Sequence, residues 1–303
     1  MKIRDMSEVD LIRRLSKNFR LDKTVIKGPG DDAAVIRWTK DRYLLYTCDM
    51  TIEGVHFDLR KATPFQAGWK ALGRNISDIG AMGGVPKYAV VSLAISPGQK
   101  LSVADGICKG LKSIADRFGV NIVGGDMSVS KNIFIDVSLI GEVEREKLTL
   151  RSGAKIGDVI LVTGSLGRSI ERKHLDFMPR VNEAREILKK YKINSMIDIS
   201  DGFALDLKRM LDASAAGALV YESAIPLSRD AVSVNNALYD GEDYELLFTM
   251  SVKEAKRFYR TTLKGLETPV SIIGEITAQK DGCKIVRPDG KEEYMKIKGY
   301  LHF

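Results

Sequence analysis

Apolar positions along the chain recur at two spacings, and their alternation predicts a mixed α/β protein. Ser7, with Asp10 three residues on as a capping-box pair, opens a helix whose apolar side is Leu11, Ile12, Leu15 and Phe19. Short apolar runs at 33–36 and 43–48 read as strands. Thr63-Pro64, a cap residue followed by proline at the first helical position, begins a long helix. Its stripe is Phe65, Trp69, Leu72, Ile76 and Ile79, and Gly83-Gly84 ends it. Residues 88–95 read as a buried strand, and 102–118 as an amphipathic helix closed by Gly119. Strands are expected at 120–123 and 133–143, the latter alternating.

A second unit begins near Thr149. Strands are predicted at 159–163, 195–199, 218–221, 244–250 and 270–276, and helices at 180–191, 203–212 and 253–263. Arg287-Pro288-Asp289-Gly290 marks a hairpin turn. The fold class is α+β, as two α/β domains covering 1–148 and 149–303.

At 303 residues the chain is long enough for two such cores. It is 44% hydrophobic and 29% charged, the balance of a globular protein. No apolar stretch approaches the roughly 20 residues of a membrane helix, so a cytoplasmic protein is expected, without membrane association. Cys48, Cys108 and Cys283 form no CxxC pair, and His56, His174 and His302 do not cluster, which leaves little material for zinc or a disulfide framework. The net charge of +7 comes from scattered Lys and Arg without interleaved aromatics, so nucleic-acid binding is not expected.

The positions of the aspartates change the picture. Three apolar runs lead into Asp49, Asp126 and Asp198; Asp31 and Asp32 follow a glycine turn; Asp78 lies off the long helix's stripe; Asp201 follows Asp198. Turn formation accounts for any one of these. As a set beside glycines they suit a hard cation, since magnesium takes one or two carboxylates, waters and phosphate oxygens. There is no P-loop and no protein-kinase signature, and Gly164-Ser165-Leu166-Gly167 alone is weak.

In order, several stretches resemble the thiamine-monophosphate kinase family. They are Gly30-Asp31-Asp32-Ala33-Ala34, Asp49 with Glu53-Gly54-Val55-His56-Phe57, Asn75-Ile76-Ser77-Asp78-Ile79-Gly80-Ala81-Met82-Gly83 and Gly124-Gly125-Asp126. They continue with Leu150-Arg151-Ser152-Gly153-Ala154, Ile197-Asp198-Ile199-Ser200-Asp201-Gly202, Gly241-Glu242-Asp243-Tyr244-Glu245-Leu246 and Lys298-Gly299-Tyr300. The resemblance implies ATP- and magnesium-dependent phosphorylation of thiamine monophosphate by a homodimer whose N-terminal domains join in a β-barrel. It implies several Mg2+ ions on Asp32, Thr47, Cys48, Asp49, Asp78, Asp126, Asp198 and Asp201. It implies ATP on Gly125, Asp126, Arg151 and Ser200, and thiamine phosphate on His56, Glu242 and Tyr300. No general base is expected, because the acceptor is already a phosphate. Cys48 stands where the family has Ser or Thr, and the stretch after Gly167 is shorter than usual. Related ATP-dependent enzymes of the same architecture, such as aminoimidazole ribonucleotide synthetase, are the alternative; selenophosphate synthetase and the hydrogenase maturation relative fit less well, lacking their cysteines here.

Overall fold

The structure, a computed structural model, describes residues 2–3, 6–261 and 266–301. Of the expected elements, the last two residues of the 253–263 helix lie outside these, as does His302.

Helix α1 (Glu8–Ser16) starts as the capping pair predicts: Ser7 Oγ accepts from the Asp10 amide at 3.2 Å. Its apolar side, however, is largely open among the described residues: of that stripe only Leu11 is partly buried. Ile12, Leu15 and, just beyond, Phe19 are 49%, 60% and 61% exposed. Strands β1 (Val25–Lys27), β2 (Ala34–Arg37) and β3 (Arg42–Ile52) precede α2 (Pro64–Ala81). Strand β4 (Val85–Ala94), α3 (Leu101–Phe118), β5 (Asn121–Ser128) and β6 (Phe134–Glu144) complete the first unit. Its six-stranded sheet runs β1-β2-β3-β6-β4-β5, antiparallel except for the β4–β5 pair.

Helices α2 and α3 cover one face of this sheet. Leu72, Ile76, Ile79, Ile107 and Ile114 pack there on Leu45, Val137 and Leu139. The helices approach at mutual glycines: a Cβ on Gly68 would lie 2.0 Å from the Ile107 carbonyl oxygen, and one on Gly110 1.9 Å from that of Phe65. The other face is open. Strand β4 is therefore alternating, not buried as expected, with Ala89 and Leu93 inside and Tyr88, Val90 and Ser92 outside. Within one chain the sheet is open, with β1 and β5 as edges.

The second unit contains β7 (Asp158–Thr163), α4 (Val181–Lys190), β8 (Ser195–Asp198), α5 (Phe203–Ser214), β9 (Ala216–Tyr221) and α6 (Val234–Tyr239). It continues through β10 (Leu246–Ser251), α7 (Val252–Thr261), β11 (Val270–Ala278), β12 (Cys283–Val286) and β13 (Glu292–Tyr294). The seven-stranded sheet runs β13-β12-β9-β11-β7-β10-β8. The expected turn joins β12 to β13, with Arg287 N donating to Lys291 O at 2.8 Å and Gly290 at φ 84°. Helices cover both faces: α5 and α6 on Ile160, Val162 and Leu247, and α4 and α7 on Leu161, Phe248 and Met250. Double-sided burial is why β7 and β10 are nearly continuous apolar runs.

Helix α2 also contacts α4 and β8, so it lies between the two sheets. Among the described residues no helix is long and apolar enough to cross a membrane. Glu144, at the end of β6, takes a two-pronged bond from Arg185 of α4 at 2.7 and 2.8 Å, and Arg185 also donates to Gly83 O. The Arg185 hydrogen bonds hold the Glu144 carboxyl at about 2, below its ordinary 4.5. The pair therefore stabilises the fold above the unfolded value and loses its effect as pH falls from 4.5 towards 2. Glu144→Gln is expected to lower the unfolding free energy by about 1 kcal/mol at pH 7. Urea titrations across pH should show that difference shrinking steadily below the ordinary glutamate range; a constant difference would exclude the pair as its source.

Candidate active site

Helix α2 delivers a polar row into the space between the sheets. Lys70, Arg74 and Asp78 are spaced by four and so share one side of the helix. Asp78 meets Asp32, from the turn before β2, and Asp198, at the end of β8; one oxygen from each lies within 4.8 Å of the others. Thr47 Oγ1 donates to Asp78 Oδ2 at 2.6 Å, Ser77 Oγ to Asp198 Oδ2 at 2.5 Å, and Arg151 Nη2 to Asp32 Oδ1 at 2.7 Å.

These donors do not satisfy the cluster. Asp32 Oδ2 is buried with no hydrogen-bond partner. Burial, then the charges of Asp49, Asp198 and Asp32, push the Asp78 carboxyl well above its ordinary range; burial and Asp32 do the same to Asp198. Asp31 behaves alike, raised to about 6 by burial and by Asp32. Dry carboxylates this close are the donor set of a hard cation.

The expected metal ligands do not all converge here. Asp49 is not at a strand end but inside β3, on the face of Thr47, where Arg74 Nη2 holds its Oδ1 at 3.1 Å. Cys48 alternates to the opposite face, its thiol 3.4 Å from Asp136 Oδ1. The thiol therefore points away from the cluster, and only backbone at this position faces it. Asp126 lies within β5, not after it, exposed and three strands from β3. Asp201 is bound to Arg209 at 2.6 Å and lines the adjoining cavity instead.

That cavity, about 330 Å³, gathers His56, Ser200, Asp201, Glu242 and Tyr300, with Arg74 and Tyr244 in its wall. It falls in the usual size range of small-molecule sites. Each wall residue has a local cause. The amides of Ser200 and Asp201 both donate to Asp206 Oδ2, which fixes the 198–202 loop. Tyr300 N donates to Asp201 O at 2.8 Å, and a Cβ on Gly299 would lie 2.4 Å from that same oxygen, so only glycine lets the C-terminal segment dock. Glu242 and Tyr244 take left-handed backbone, φ 65° and 50°, between amide bonds to Ser200 O and Ile199 O. Asp243 and Glu245 point the other way: Asp243 accepts from Gly167 N and Ser169 Oγ, and Glu245 from Lys173, Arg180 and Thr163.

His56 Nδ1 accepts from Ile52 N at 3.0 Å, which places its proton on Nε2. Beneath the cavity Lys70, 0% exposed, meets Glu242 Oε1 at 2.5 Å. Burial lowers the Lys70 ammonium to about 8. Burial would raise Glu242, but His174 and Lys70 beside it hold it at about 2. Gly125 stands apart from this cavity, in β5; a Cβ there would lie 1.8 Å from Val91 O, so strand pairing already requires a glycine. Arg151 stands on the carboxylate side, on Asp32.

Sequence reasoning missed Lys70, Arg74 and Asp206; Asp31 was in the carboxylate set, with no ligand assigned to it. For the first two a signal existed, polar residues four apart in an otherwise apolar helix. Asp206 had none, because a first-turn aspartate reads as ordinary helix capping.

Residues 30–143 match the family model described as AIR synthase related protein, N-terminal domain, and 168–286 match its C-terminal domain. Thiamine-monophosphate kinase of Bacillus subtilis (strain 168) is 31% identical over 98% of this chain and 100% of its own. That of Aquifex aeolicus (strain VF5) is 32% identical over 100% of both. The solved structure "AaThiL complexed with AMPPCP and TMP" superposes with TM-score 0.83 at 30% identity, covering 100% of this chain and 99% of that one. With whole-length likeness in sequence and in fold, this chain belongs to the thiamine-monophosphate kinase family.

Proposed function

We propose that the protein transfers the γ-phosphoryl group of ATP to thiamine monophosphate, giving thiamine diphosphate and ADP. One observation carries the reading: a ligand-sized cavity lined by His56, Glu242 and Tyr300 adjoins a buried cluster of uncompensated carboxylates. A relative of the same length and fold carries AMPPCP and TMP.

The acceptor phosphate has a second pKa of roughly 6 and is largely dianionic at neutral pH, so no general base is required. The difficulty is bringing two polyanions into line. Asp32, Asp78 and Asp198, with Asp49 beside them and Thr47 in support, would hold Mg2+. Bound there, it would neutralise phosphate oxygens and fix their geometry. Arg151 and Ser200 flank the carboxylates and suit the ATP phosphates. His56, Glu242 and Tyr300 suit the thiamine moiety, with the Tyr300 ring as a stacking surface.

Gly125, Asp126 and Cys48 lie towards the open sheet face and edge strand of the first unit. There Tyr46, Met50, Tyr88, Val90 and Met127 are exposed. An open apolar sheet face beside an unpaired edge favours pairing with a second copy. A homodimer that closes a barrel is therefore part of this reading, and would bring Gly125 and Asp126 into the site with ATP and further metal. Division of the chain after residue 148 goes with it, supported by strands that pair only within each unit. A cytoplasmic location, where ATP is available, also goes with it.

Incubation with ATP, Mg2+ and thiamine monophosphate should give thiamine diphosphate by chromatography, and free thiamine should give none. A folded protein that turns over neither would move the search to other phosphorylated acceptors. Magnesium at about 100 times its Kd should raise stability by about 2.7 kcal/mol. Asp198→Asn should lose most of that rise in a thermal shift, and an undiminished rise would remove Asp198 from the metal site. Tyr300→Ala should raise the KM for thiamine monophosphate with little change for ATP; an unchanged value would take Tyr300 out of the cavity's function.

A further inference from the structure

Lys70 is a fully buried charge beside the cavity, yet it does not line it. Its three ammonium protons meet three acceptors: Glu242 Oε1 at 2.5 Å, His56 O at 2.6 Å and His174 Nδ1 at 2.8 Å. The donor capacity of the group is thereby filled. The acceptors come from three separate segments: the loop after β3, the short 3-10 turn Lys173–Leu175, and the left-handed stretch before β10. His174 Nδ1 lies 2.8 Å from Glu242 Oε2 as well. A ring nitrogen that accepts from Lys70 carries no proton for that oxygen, which is buried without a hydrogen-bond partner among the described residues, so Lys70 alone holds the carboxylate. An apolar side chain at this position of α2 would fill the space without desolvating an ammonium, and buried ion pairs seldom add stability over apolar residues of similar volume. Two of the three acceptor residues, His56 and Glu242, are cavity walls.

We propose that Lys70 is a positioning residue for the thiamine-phosphate subsite, holding the Glu242 carboxylate and the His56 backbone in the geometry that receives the substrate. This rests on the reading that Glu242 faces that substrate. Lys70 touches no reacting group; it acts through Glu242, and its bond to His174 Nδ1 ties it to a third segment. A carboxylate on left-handed backbone at the mouth of a cavity has other rotamers open to it, and the ammonium selects one. Binding of the acceptor then carries no cost of ordering that side chain.

The test is a cycle of Lys70→Met and Glu242→Gln, with KM measured for each substrate and folding checked by circular dichroism. Lys70→Met should raise the KM for thiamine monophosphate about tenfold and leave that for ATP within about twofold. In the Glu242→Gln background the same change should raise it by no more than about threefold, the remainder acting through the His56 carbonyl. Equal rises for both substrates, or the same factor in both backgrounds, would overturn the proposal, because a merely structural lysine behaves so. Glu242→Gln with an unchanged KM would remove Glu242 from the substrate and the proposal with it. A raised KM in Glu242→Gln with Lys70→Met silent would remove Lys70 alone. Where Lys70→Met does not fold, the double variant, free of the unpaired charge, decides against Glu242→Gln by the same threefold limit.

Discussion

Carboxylates brought together in a dry interior repel one another, and much of this fold is arranged around that repulsion. Asp32, Asp78 and Asp198 come from a turn, a helix and a strand end in different parts of the chain. The interior that holds them must be rigid enough to stop them swinging apart into water. Thr47, Ser77 and Arg151 each hold one carboxylate, and Asp32 still has a buried oxygen without a donor. Such an arrangement lowers the stability of the free protein and would be relieved by a cation that supplied the missing charge.

Helix α2 is the element that makes this possible. On one side it buries Leu72, Ile76 and Ile79 against the first sheet, and at its end Ala81 joins the core of the second. A helix enclosed on several sides can carry polar groups only where partners await them. Lys70 has three acceptors, Arg74 has Asp49 and the Met50 carbonyl, and Asp78 has Thr47. The row of polar residues thus ties both units to one site. The glycine contacts with α3 leave the helix little room to shift.

The two sheets use their faces differently. The second is covered on both sides and is a scaffold: its strand ends carry the 198–202 loop and the 240–245 stretch that wall the cavity. The first is covered on one side only, and its other face and the edge strand β5 present apolar side chains. The same openness sets Asp126 and Gly125 apart from Asp78 and Asp198 within a single chain. On the proposed reading the site is divided in this way and would be complete only where a second copy covers that face.

Much of the architecture was legible in the sequence because local physics decides it. Ser7, Thr63-Pro64 and Gly119 mark helix ends through backbone hydrogen bonds that the neighbouring residues make. Period-two and period-four patterns separated strands from helices, and the ordered motifs contain several residues that line the cavity, His56, Ser200, Asp201, Glu242 and Tyr300 among them. What the sequence could not convey is direction and company. One residue's alternation sends Thr47 to the carboxylates and Cys48 away from them, and it depends on which sheet face is covered. Strand β3 continues through Asp49 because β6 pairs along its whole length, and β4 alternates because one face lacks a helix. The apolar side of α1 reads as core, yet Ile12, Leu15 and Phe19 are exposed. Lys70 reads as a surface lysine, and it became a buried brace because three segments distant in the chain each brought it an acceptor. Composition and periodicity determine what each segment is; only the packing of segments against one another decides which charges meet, because that choice is made by contacts far apart in sequence.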